Sequence, residues 1–313
     1  MSMTLRSWAL AAGFVLLAII PLIADAIGEP YYLTLFSRIM VFAIAALSLD
    51  LILGYGGMVS FGHAAYIGLG AYAVGILAHY EIYDGFLQLI AAMVGSALVA
   101  AFIGWFSLRT SGMYFIMITL AFTQMLFFLG VSLEEFGGDD GMNIRRSRFF
   151  GSPILNDDMT LYYVILATMA LCTYIAWRFI NSRFGMVVRG AMSNENRMQA
   201  IGFPTLRYRL VAFMIAGVMC GVAGYLLANI TKFVTPEFMN WLRSGEILVM
   251  VLMGGMGTLF GPLFGAATFL LLEEILSSYT SHWQIIMGPF LVLLVLFAKR
   301  GLWSLIPARR SDG

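Results

Sequence analysis

Charged residues are scarce in this sequence. Aspartate, glutamate, lysine and arginine make up 11% of the 313 residues, against about 25% in a typical soluble domain. Hydrophobic residues make up 61%, and a water-soluble chain of this size could not bury so much apolar surface. The net charge of +1 gives no indication of a nucleic-acid partner. The composition therefore predicts an all-α polytopic membrane protein.

Several chemical motifs are also missing. Only two cysteines are present, Cys172 and Cys220, and each lies inside an apolar run, so neither a disulfide nor a redox compartment follows. His63 has no nucleophile or metal-ligand partner at a recognisable spacing. No G-x4-G-K-[ST] sequence occurs, so the chain lacks a phosphate-cradling loop of its own. We expect a chain that is not itself an enzyme, holds no cofactor or metal, and depends on another subunit if ATP drives it.

Long apolar runs provide the candidate membrane helices, since a helix needs about 20 apolar residues to cross the hydrocarbon layer. The candidate spans are 7–27, 32–53, 57–79, 85–108, 112–133, 160–180, 208–230 and 284–299. The first run could instead belong to a cleaved signal sequence, because Arg6 precedes it and Ala24–Ala26 resembles a cleavage site. Its length and the many spans that follow favour a retained first helix.

Basic residues in short loops indicate the cytoplasmic side of a membrane protein. Arg6 precedes the first span, and basic residues cluster within 178–209 and in the tail from Lys299 onward, which predicts that both termini and this loop are cytoplasmic. The loop at 134–159 is rich in aspartate and glutamate, and counting the crossings places it outside. The basic residues of this loop, which do not fit that charge pattern, are Arg145, Arg146 and Arg148.

The stretch 244–277 must enter the membrane and return to the same side, because a single crossing would leave the basic tail outside. We therefore predict two short arms joined near Gly254–Gly261. The result is about ten membrane-embedded helices. They form a single transmembrane domain over residues 1–313, with a cytoplasmic loop at about 181–209.

Two glycine-rich stretches interrupt the apolar runs, one in each half of the chain. The first has GGM at 56–58 followed by FG at 61–62, and the second has GGM at 254–256 followed by FG at 260–261. Paired glycine-interrupted segments are the best sequence pointer to a transport site built on internal repeats. Non-helical backbone at membrane depth survives only where protein or a water-filled cavity covers it. The two stretches therefore predict an internal pseudo-repeat and the wall of a cavity.

Close helix packing is the alternative role of these glycines. Glycine costs about 1 kcal/mol relative to alanine inside a helix, so a close contact or a helix break has to offset that cost. The spacings Gly217-x3-Gly221 and Gly257-x3-Gly261-x3-Gly265 are typical of tight contacts between membrane helices. For any single glycine, packing is the simpler explanation.

A few polar side chains lie inside the predicted membrane segments, where an ionisable group is a functional candidate by default. They are Asp50, Ser60, His63, Thr119, Thr123, Gln124 and Glu246. Two alternatives stay open. Asp50 and Glu246 could lie in the membrane interface, and His63 could donate to a backbone carbonyl that the glycine break leaves free.

The cytoplasmic loop is too regular in pattern for a linker and predicts a short capped helix. Ser193 or Asn194 can cap its start, with Glu195 near the positive end of the helix dipole. Gly202 can end the helix in a left-handed turn, and Pro204 prevents its extension.

An apolar patch is predicted on this short helix. Met198 and Ile201 are three residues apart and share a face, and Phe203 lies just beyond them. An exposed apolar patch of this kind favours a protein partner. The alternative is a helix that lies on the lipid headgroups, with the neighbouring arginines touching anionic lipid.

Four stretches of the sequence together carry a family resemblance. They are LILGYGGMVSFGHAAYIGLGAYA at 51–73, GMYFIMITLAFTQML at 112–126, ENRMQAIGFPTLRYRLVAFMIAGVMCGVAG at 195–224 and LVMVLMGGMGTLFGPLFGAA at 248–267. They resemble the inner-membrane permeases of branched-chain amino-acid ABC importers, the LivM type, and cover most of residues 45–299. The resemblance is specific to the family but weak on substrate, since its members import leucine-like amino acids, urea, short amides or aromatic carboxylates.

This resemblance implies an assembly in the bacterial inner membrane. A second homologous permease would complete the pathway, two cytoplasmic ATPases would bind ATP and magnesium, and a periplasmic solute-binding protein would deliver the substrate. Lipid would surround the chain, and no nucleic acid would be a partner. Closure of the ATPases on ATP would then produce alternating access.

The glycine breaks and the resemblance together define two sets of residues. Those expected along the translocation path are Asp50, Gly56, Gly57, Ser60, Gly62, His63, Thr123, Gln124, Gly254, Gly255 and Gly257. Those expected in the ATPase-coupling helix are Glu195, Arg197, Met198, Ala200, Ile201 and Gly202. This chain departs from the family twice: the family often has asparagine at the position of Asp50, and the coupling helix is looser than the usual E-x-A-A form.

Two rival classes stay open at the level of the sequence. An ion-coupled secondary transporter would need intramembrane carboxylates, for which Asp50 is the only strong candidate, and it would leave the capped loop unexplained. A membrane-embedded enzyme would need His, Asp, Glu or Ser clustered at one depth, and the sequence lacks such a cluster.

Overall fold

The computed structural model describes residues 5–29, 31–149, 151–152, 154–280, 282–297 and 301–302. In these ranges the chain forms twelve α-helices and one small sheet, which confirms the all-α class. The helices are α1 (Leu5–Ile27), α2 (Tyr31–Leu53), α3 (His63–His79), α4 (Gly85–Ser107), α5 (Met113–Ser132), α6 (Asp158–Ile180), α7 (Arg183–Ser193), α8 (Glu195–Ala200), α9 (Thr205–Thr231), α10 (Trp241–Gly254), α11 (Gly261–Tyr279) and α12 (Trp283–Phe297). The sheet pairs β1 (Met142–Asn143) with β2 (Phe233–Val234) in antiparallel register.

Five of the described helices are long and apolar enough to cross a membrane, namely α2, α4, α5, α6 and α9. Two shorter apolar helical stretches occur at Gly13–Ala24 in α1 and at Trp283–Leu293 in α12. The predicted pair of short arms corresponds to α10 and α11, and the chain between Gly254 and Gly261 is non-helical as the sequence predicted. The total number of embedded helices stays a prediction.

The predicted span 57–79 is wrong at its start. Residues 57–62 are not helical, and α3 begins only at His63. Gly57 has a left-handed backbone with a φ of 67°, a conformation that glycine adopts at no steric cost. The amide of Gly62 donates to the side chain of Ser60 rather than to a helical carbonyl. The glycine break therefore lies before α3 and not inside a continuous helix.

Some predictions concern parts of the chain outside the described residues. The end of the last predicted span and the basic tail fall at 298–300 and 303–313. Arg6 belongs to a part of α1 for which side chains are not described. Retention of the first helix and the cytoplasmic location of both termini therefore stay predictions.

The central helix of the molecule is α2. Every residue from Ile39 to Leu53 is buried, and the helix contacts α6, α9, α10 and α11. Next to α2, α9 packs closely against α3 and α4. A Cβ added to Gly221 would overlap the side chain of Ser96 in α4, and one added to Gly217 would lie 2.8 Å from the Cβ of Ala100. The close contact that the Gly217-x3-Gly221 spacing predicted is confirmed.

One buried arginine fastens the loop between α5 and α6. Arg146 donates to the carbonyl of Asn229 in α9, 3.0 Å away. It also donates to the carbonyl of Leu155 at 3.0 Å and to the carboxylate of Asp158 at 2.5 Å. In addition, β1 of this loop pairs with β2, which follows α9. A basic residue that did not fit the charge pattern of the loop therefore has a local structural role.

Candidate functional site

Asp50 joins the two glycine-rich stretches to each other. Its Oδ1 atom accepts a hydrogen bond from the backbone amide of Gly257, 2.9 Å away. Asp50 lies in the last turn of α2 and is fully buried, whereas Gly257 lies in the break between α10 and α11. The carboxylate that the sequence offered as a substrate contact thus holds the second break in position.

The backbone that follows α2 is in direct contact with the break between α10 and α11. A Cβ added to Gly54 would overlap the amide nitrogen of Gly257 and the carboxylate of Asp50. Gly257 also has a left-handed backbone, with a φ of 69°. Because only glycine allows so close an approach at position 54, the two stretches that the sequence compared as repeats are neighbours in space.

Hydroxyl groups from two other helices hold the non-helical segment before α3. The amide of Phe61 donates to Oγ1 of Thr119 at 3.2 Å, and Oγ1 of Thr123 donates to the Phe61 carbonyl at 3.1 Å; both threonines belong to α5. The amide of Ala64 donates to Oγ of Ser244 in α10, 3.0 Å away. These bonds satisfy backbone groups that have no helical partner, which is the condition for irregular backbone at membrane depth.

His63 is the first residue of α3 and is fully buried. Its ring meets the ring of Tyr66 edge-on, with centroids 5.7 Å apart. Neither ring nitrogen has a hydrogen-bond partner among the described residues. The alternative in which His63 donates to a freed backbone carbonyl is therefore wrong for this conformation.

The residues predicted to line the translocation path differ in how exposed they are in the structure. Those with 0% exposed side chains are Asp50, Ser60, His63 and Thr123. Gly56, Gly62, Gly254 and Gly255 are buried, Gln124 and Gly257 are half-buried, and Gly57 is exposed. The polar groups proposed for substrate contact are thus covered in this conformation. In the part of the chain that the structure describes, no group of three or more His, Cys, Asp or Glu residues could hold a metal ion.

The capped helix predicted in the cytoplasmic loop is α8. Asn194 is its N-cap, and the Asn194 side chain accepts the amide of Arg197 at 2.9 Å. Gly202 follows the helix with a φ of 91°, the predicted left-handed end. Ser193, the other candidate cap, is instead the last residue of α7.

Glu195 fastens α8 to the start of α9. Its carboxylate accepts the hydroxyl of Thr205 at 3.0 Å and pairs with Arg209 at 2.8 Å. Arg197 and Ala200 lie on the exposed side of the same helix. Because Glu195 connects the two helices directly, we expect α8 to move together with the N-terminal end of α9.

The exposed apolar patch of α8 is smaller than the sequence predicted. Met198 packs against α7, because a Cβ added to Gly190 of α7 would lie 2.8 Å from the sulfur of Met198. Ile201 and Phe203 stay exposed, at 64% and 37%. We refer to these two exposed residues as the coupling patch.

The loop predicted to be cytoplasmic contains a further helix, α7, that was not predicted from the sequence. The side chain of Ser182 caps its start by accepting the amide of Gly185, and that cap is a signal the sequence offered. Near the end of α7, Met192 packs on the first glycine-rich stretch, since a Cβ added to Gly57 would lie 3.0 Å from Cγ of Met192. Through Met192, α7 therefore contacts the break before α3.

A group of charged residues lies in the predicted embedded helices, and most of its members were not predicted as site residues from the sequence. Arg38 of α2 lies 3.5 Å from Glu273 of α11, and Arg243 of α10 pairs with Glu246 at 2.8 Å. Glu273 interacts electrostatically with Arg243, Glu246 and Glu274 as well. We refer to these five residues as the arginine–glutamate cluster. A charge inside a predicted span was the signal that could have found them, and only Glu246 was noticed.

Known proteins provide an independent comparison. The family model described as "Branched-chain amino acid transport system / permease component" matches residues 31–298. The chain is 25% identical over 287 residues to the high-affinity branched-chain amino acid transport system permease protein LivM of Salmonella typhimurium, which covers 84% of this chain and 68% of that protein. LivH, the permease protein of the system with the same name in Escherichia coli, is 23% identical over 283 residues, covering 83% of this chain and 90% of that protein. The chain therefore belongs to the family of permease components of branched-chain amino acid transport systems, as the resemblance had indicated.

Proposed function

We propose that this chain is the membrane-spanning permease subunit of an ATP-driven importer in the bacterial inner membrane. Its substrate is a branched-chain or other hydrophobic amino acid, or a related small polar solute. A second homologous permease, two cytoplasmic ATP-binding subunits and a periplasmic solute-binding protein complete the assembly. The chain's family and its similarity to both LivM and LivH support this proposal.

The observation that carries the proposal is the contact between Met192 and Gly57. On one side, the turn that follows α8 presents the coupling patch of Ile201 and Phe203, and an exposed apolar surface of this kind fits a groove on a partner protein. On the other side, α7 touches the segment before α3. ATPases that close on ATP would displace α7 and α8, and Met192 would pass this displacement to the glycine break.

The two breaks would then move together. The hydrogen bond from Gly257 to Asp50 and the close approach at Gly54 join the break between α10 and α11 to the end of α2. Rigid-body shifts of packed helices convert small displacements into alternating access. In this scheme, the buried Ser60 and His63 become accessible to one side of the membrane when the segment before α3 shifts.

One observation favours a second candidate, an ion-coupled secondary transporter. Oδ2 of Asp50 is buried and has no hydrogen-bond partner among the described residues, as expected for a carboxyl group that carries a proton. Glu273 is another partly buried carboxylate in a predicted embedded helix, so Asp50 is not the only candidate, contrary to the sequence prediction. This rival requires uptake to stop when an uncoupler collapses the proton gradient while ATP is still supplied.

Gentle affinity purification of the tagged chain from its own membranes, followed by mass spectrometry, tests the proposal. We expect two ATPases and a second permease to co-purify. The variant Ile201→Asp should lose the ATPases and keep the second permease, because an unpaired charge is costly to bury in an apolar groove. Ile154→Asp, at an exposed position of the loop between α5 and α6, is the matched control. Recovery of the chain alone, folded and able to transport without ATP, would overturn the proposal.

A further inference from the structure

A cavity beside the arginine–glutamate cluster has the features of a binding site. It has a volume of about 240 Å³ and lies between α2, α3, α9 and α10. Two arginines, Arg38 and Arg243, line it. Its apolar wall includes Phe42, Ile67, Leu227 and Phe238. None of these six residues belongs to the predicted translocation path.

Among the described residues, each arginine has one close ion pair with a glutamate. Nη2 of Arg38 faces Glu273 at 3.5 Å, and Nη1 of Arg243 donates to Glu246 at 2.8 Å. The Arg38 guanidinium also lies 5.9 Å from the centroid of the Phe42 ring. A guanidinium group has five N–H donors, so one such contact leaves donors for a further acceptor. The side chains of Arg38 and Arg243 are 36% and 32% exposed, so a solute can reach them.

The two guanidinium groups are placed to hold a ligand in addition to their glutamate partners. Charged side chains in membrane helices are costly and commonly mark a substrate or ion pathway. Here two positive groups line the same cavity, whose other walls are largely apolar. Guanidinium groups match the geometry of a carboxylate and hold it by paired, charge-assisted hydrogen bonds. Urea or a neutral amide offers no negative charge to these arginines.

We propose that this cavity binds the carboxylate of a small solute with an apolar body, and that Arg38 and Arg243 are its anion-binding residues. The cavity is smaller than the roughly 300–1,000 Å³ of sites for drug-sized ligands, which fits a compact solute. An aliphatic α-amino acid has a carboxylate for the arginines, an apolar side chain for the walls and an ammonium group for the neighbouring glutamates. This inference deepens the proposed importer function and rests on it for the coupling to ATP.

The cavity lies at the end of the molecule that carries the loop between α5 and α6. Thr231, the last residue of α9, lines it, and the next residues form β2, which pairs with β1 of that loop. Arg38 is near the start of α2, roughly 18 Å along the helix from Asp50 at a rise of about 1.5 Å per residue. Arg38 is thus far from Asp50 and from the break that Asp50 contacts, whereas Ile67 of the cavity wall lies about one helical turn from His63. The carboxylate site lies on the side predicted to face outside.

Uptake by the whole importer tests the site. The chain is reconstituted in liposomes with its partner subunits and ATP, and is offered labelled L-leucine, benzoate or urea. We expect uptake of a probe that carries a carboxylate. Arg38→Gln and Arg243→Gln should each reduce that uptake about tenfold or more at subsaturating solute, because a charge-assisted hydrogen bond is lost. Arg109→Gln, at an arginine 4.8 Å from the Trp105 ring, is the matched control and should not change uptake.

A double variant separates solute binding from a merely structural role of Arg38. Arg38→Gln combined with Glu273→Gln removes both charges of the pair. Uptake that stays as low as in Arg38→Gln supports the site, whereas recovered uptake means that Arg38 only neutralises Glu273 and overturns the proposal.

Two further results would overturn the carboxylate site and leave the importer function intact. One is uptake of urea and of neither carboxylate. The other is full carboxylate uptake by both arginine variants at wild-type protein levels. Carboxylate uptake that is lost in the arginine variants but needs no ATP would instead support the site and overturn the importer function alone.

Discussion

The backbone amide of Gly257 donates to the carboxylate of Asp50, 2.9 Å away, and this bond joins residues that are 207 positions apart in the chain. It fastens the C-terminal end of α2 to the break between α10 and α11. Near the other end of α2, Arg38 lies 3.5 Å from Glu273 of α11. The central helix is therefore tied to one pair of helices by polar contacts at both ends. A large shift of that pair relative to α2 would break at least one of these contacts.

Replacement of Asp50 tests whether its role is to accept a hydrogen bond or to ionise. Asp50→Asn should retain near wild-type uptake, because the amide oxygen of asparagine can still accept the Gly257 N–H. Asp50→Leu should lower the free energy of unfolding by about 1–3 kcal/mol, since a buried amide is left unsatisfied. Uptake of labelled leucine by membrane vesicles, corrected for protein level, checks the result for Asp50→Asn. Thermal unfolding of the purified protein in detergent checks the stability of Asp50→Leu. If Asp50→Asn abolishes uptake at a normal protein level, the ion-coupled rival is favoured.

The close approach at Gly54 predicts a strong effect of one methyl group. Gly54→Ala should destabilise the protein by about 1–3 kcal/mol, because the added Cβ overlaps Gly257 and Asp50. Gly95→Ala in α4 is the control, since a Cβ there has no neighbour within 4 Å. It should leave stability unchanged or raise it by up to about 1 kcal/mol. Thermal unfolding of the purified variants in detergent measures both, and equal stability would mean that the two breaks are not closely packed.

The contact of Met192 with Gly57 predicts an effect on coupling. Met192→Ala should lower uptake severalfold while the ATPase activity of the purified complex is retained, because the coupling patch is intact but its contact with the break is lost. Met186→Ala, at an exposed position of the same helix, should change neither activity. Parallel uptake and ATP hydrolysis assays on one reconstituted preparation make the comparison. Unchanged uptake by Met192→Ala would show that displacement reaches the break by another route.

Features with a local signal were predictable from the sequence. The ends of most helices lie within a few residues of those predicted from the apolar runs. The paired glycines correctly predicted the break between α10 and α11. Asn194 and Gly202 gave both ends of α8, because caps are set by neighbouring residues. The predicted span 57–79 wrongly included the break before α3, because the apolar run continues through that break. The contacts of Phe61 with Thr119 and Thr123 that keep this segment open come from a distant helix.

The polar contacts of the candidate site could not be predicted in the same way. The bond between Asp50 and Gly257 and the pair of Arg38 with Glu273 join residues from opposite ends of the chain. Hydropathy marks such residues as unusual for a membrane segment but does not say which of them meet. Asp50 was therefore interpreted as a group facing a substrate, although in this conformation it holds a backbone amide.

The buried arginine of the loop between α5 and α6 predicts the stability of that loop. Arg146→Met should lower the free energy of unfolding by about 1–3 kcal/mol, because it leaves the carbonyls of Asn229 and Leu155 without their donor. Arg145→Met, at an exposed position next to it, should have little effect.

Protease added outside intact spheroplasts measures this change in the loop and tests its side of the membrane. We expect cleavage between α5 and α6 to be faster in Arg146→Met than in wild type or Arg145→Met, since a loosened loop exposes its backbone more often. Equal cleavage of all three chains would show that the loop does not depend on Arg146. Cleavage that occurs only in inverted vesicles would place this loop on the cytoplasmic side and reverse the predicted orientation of the whole chain.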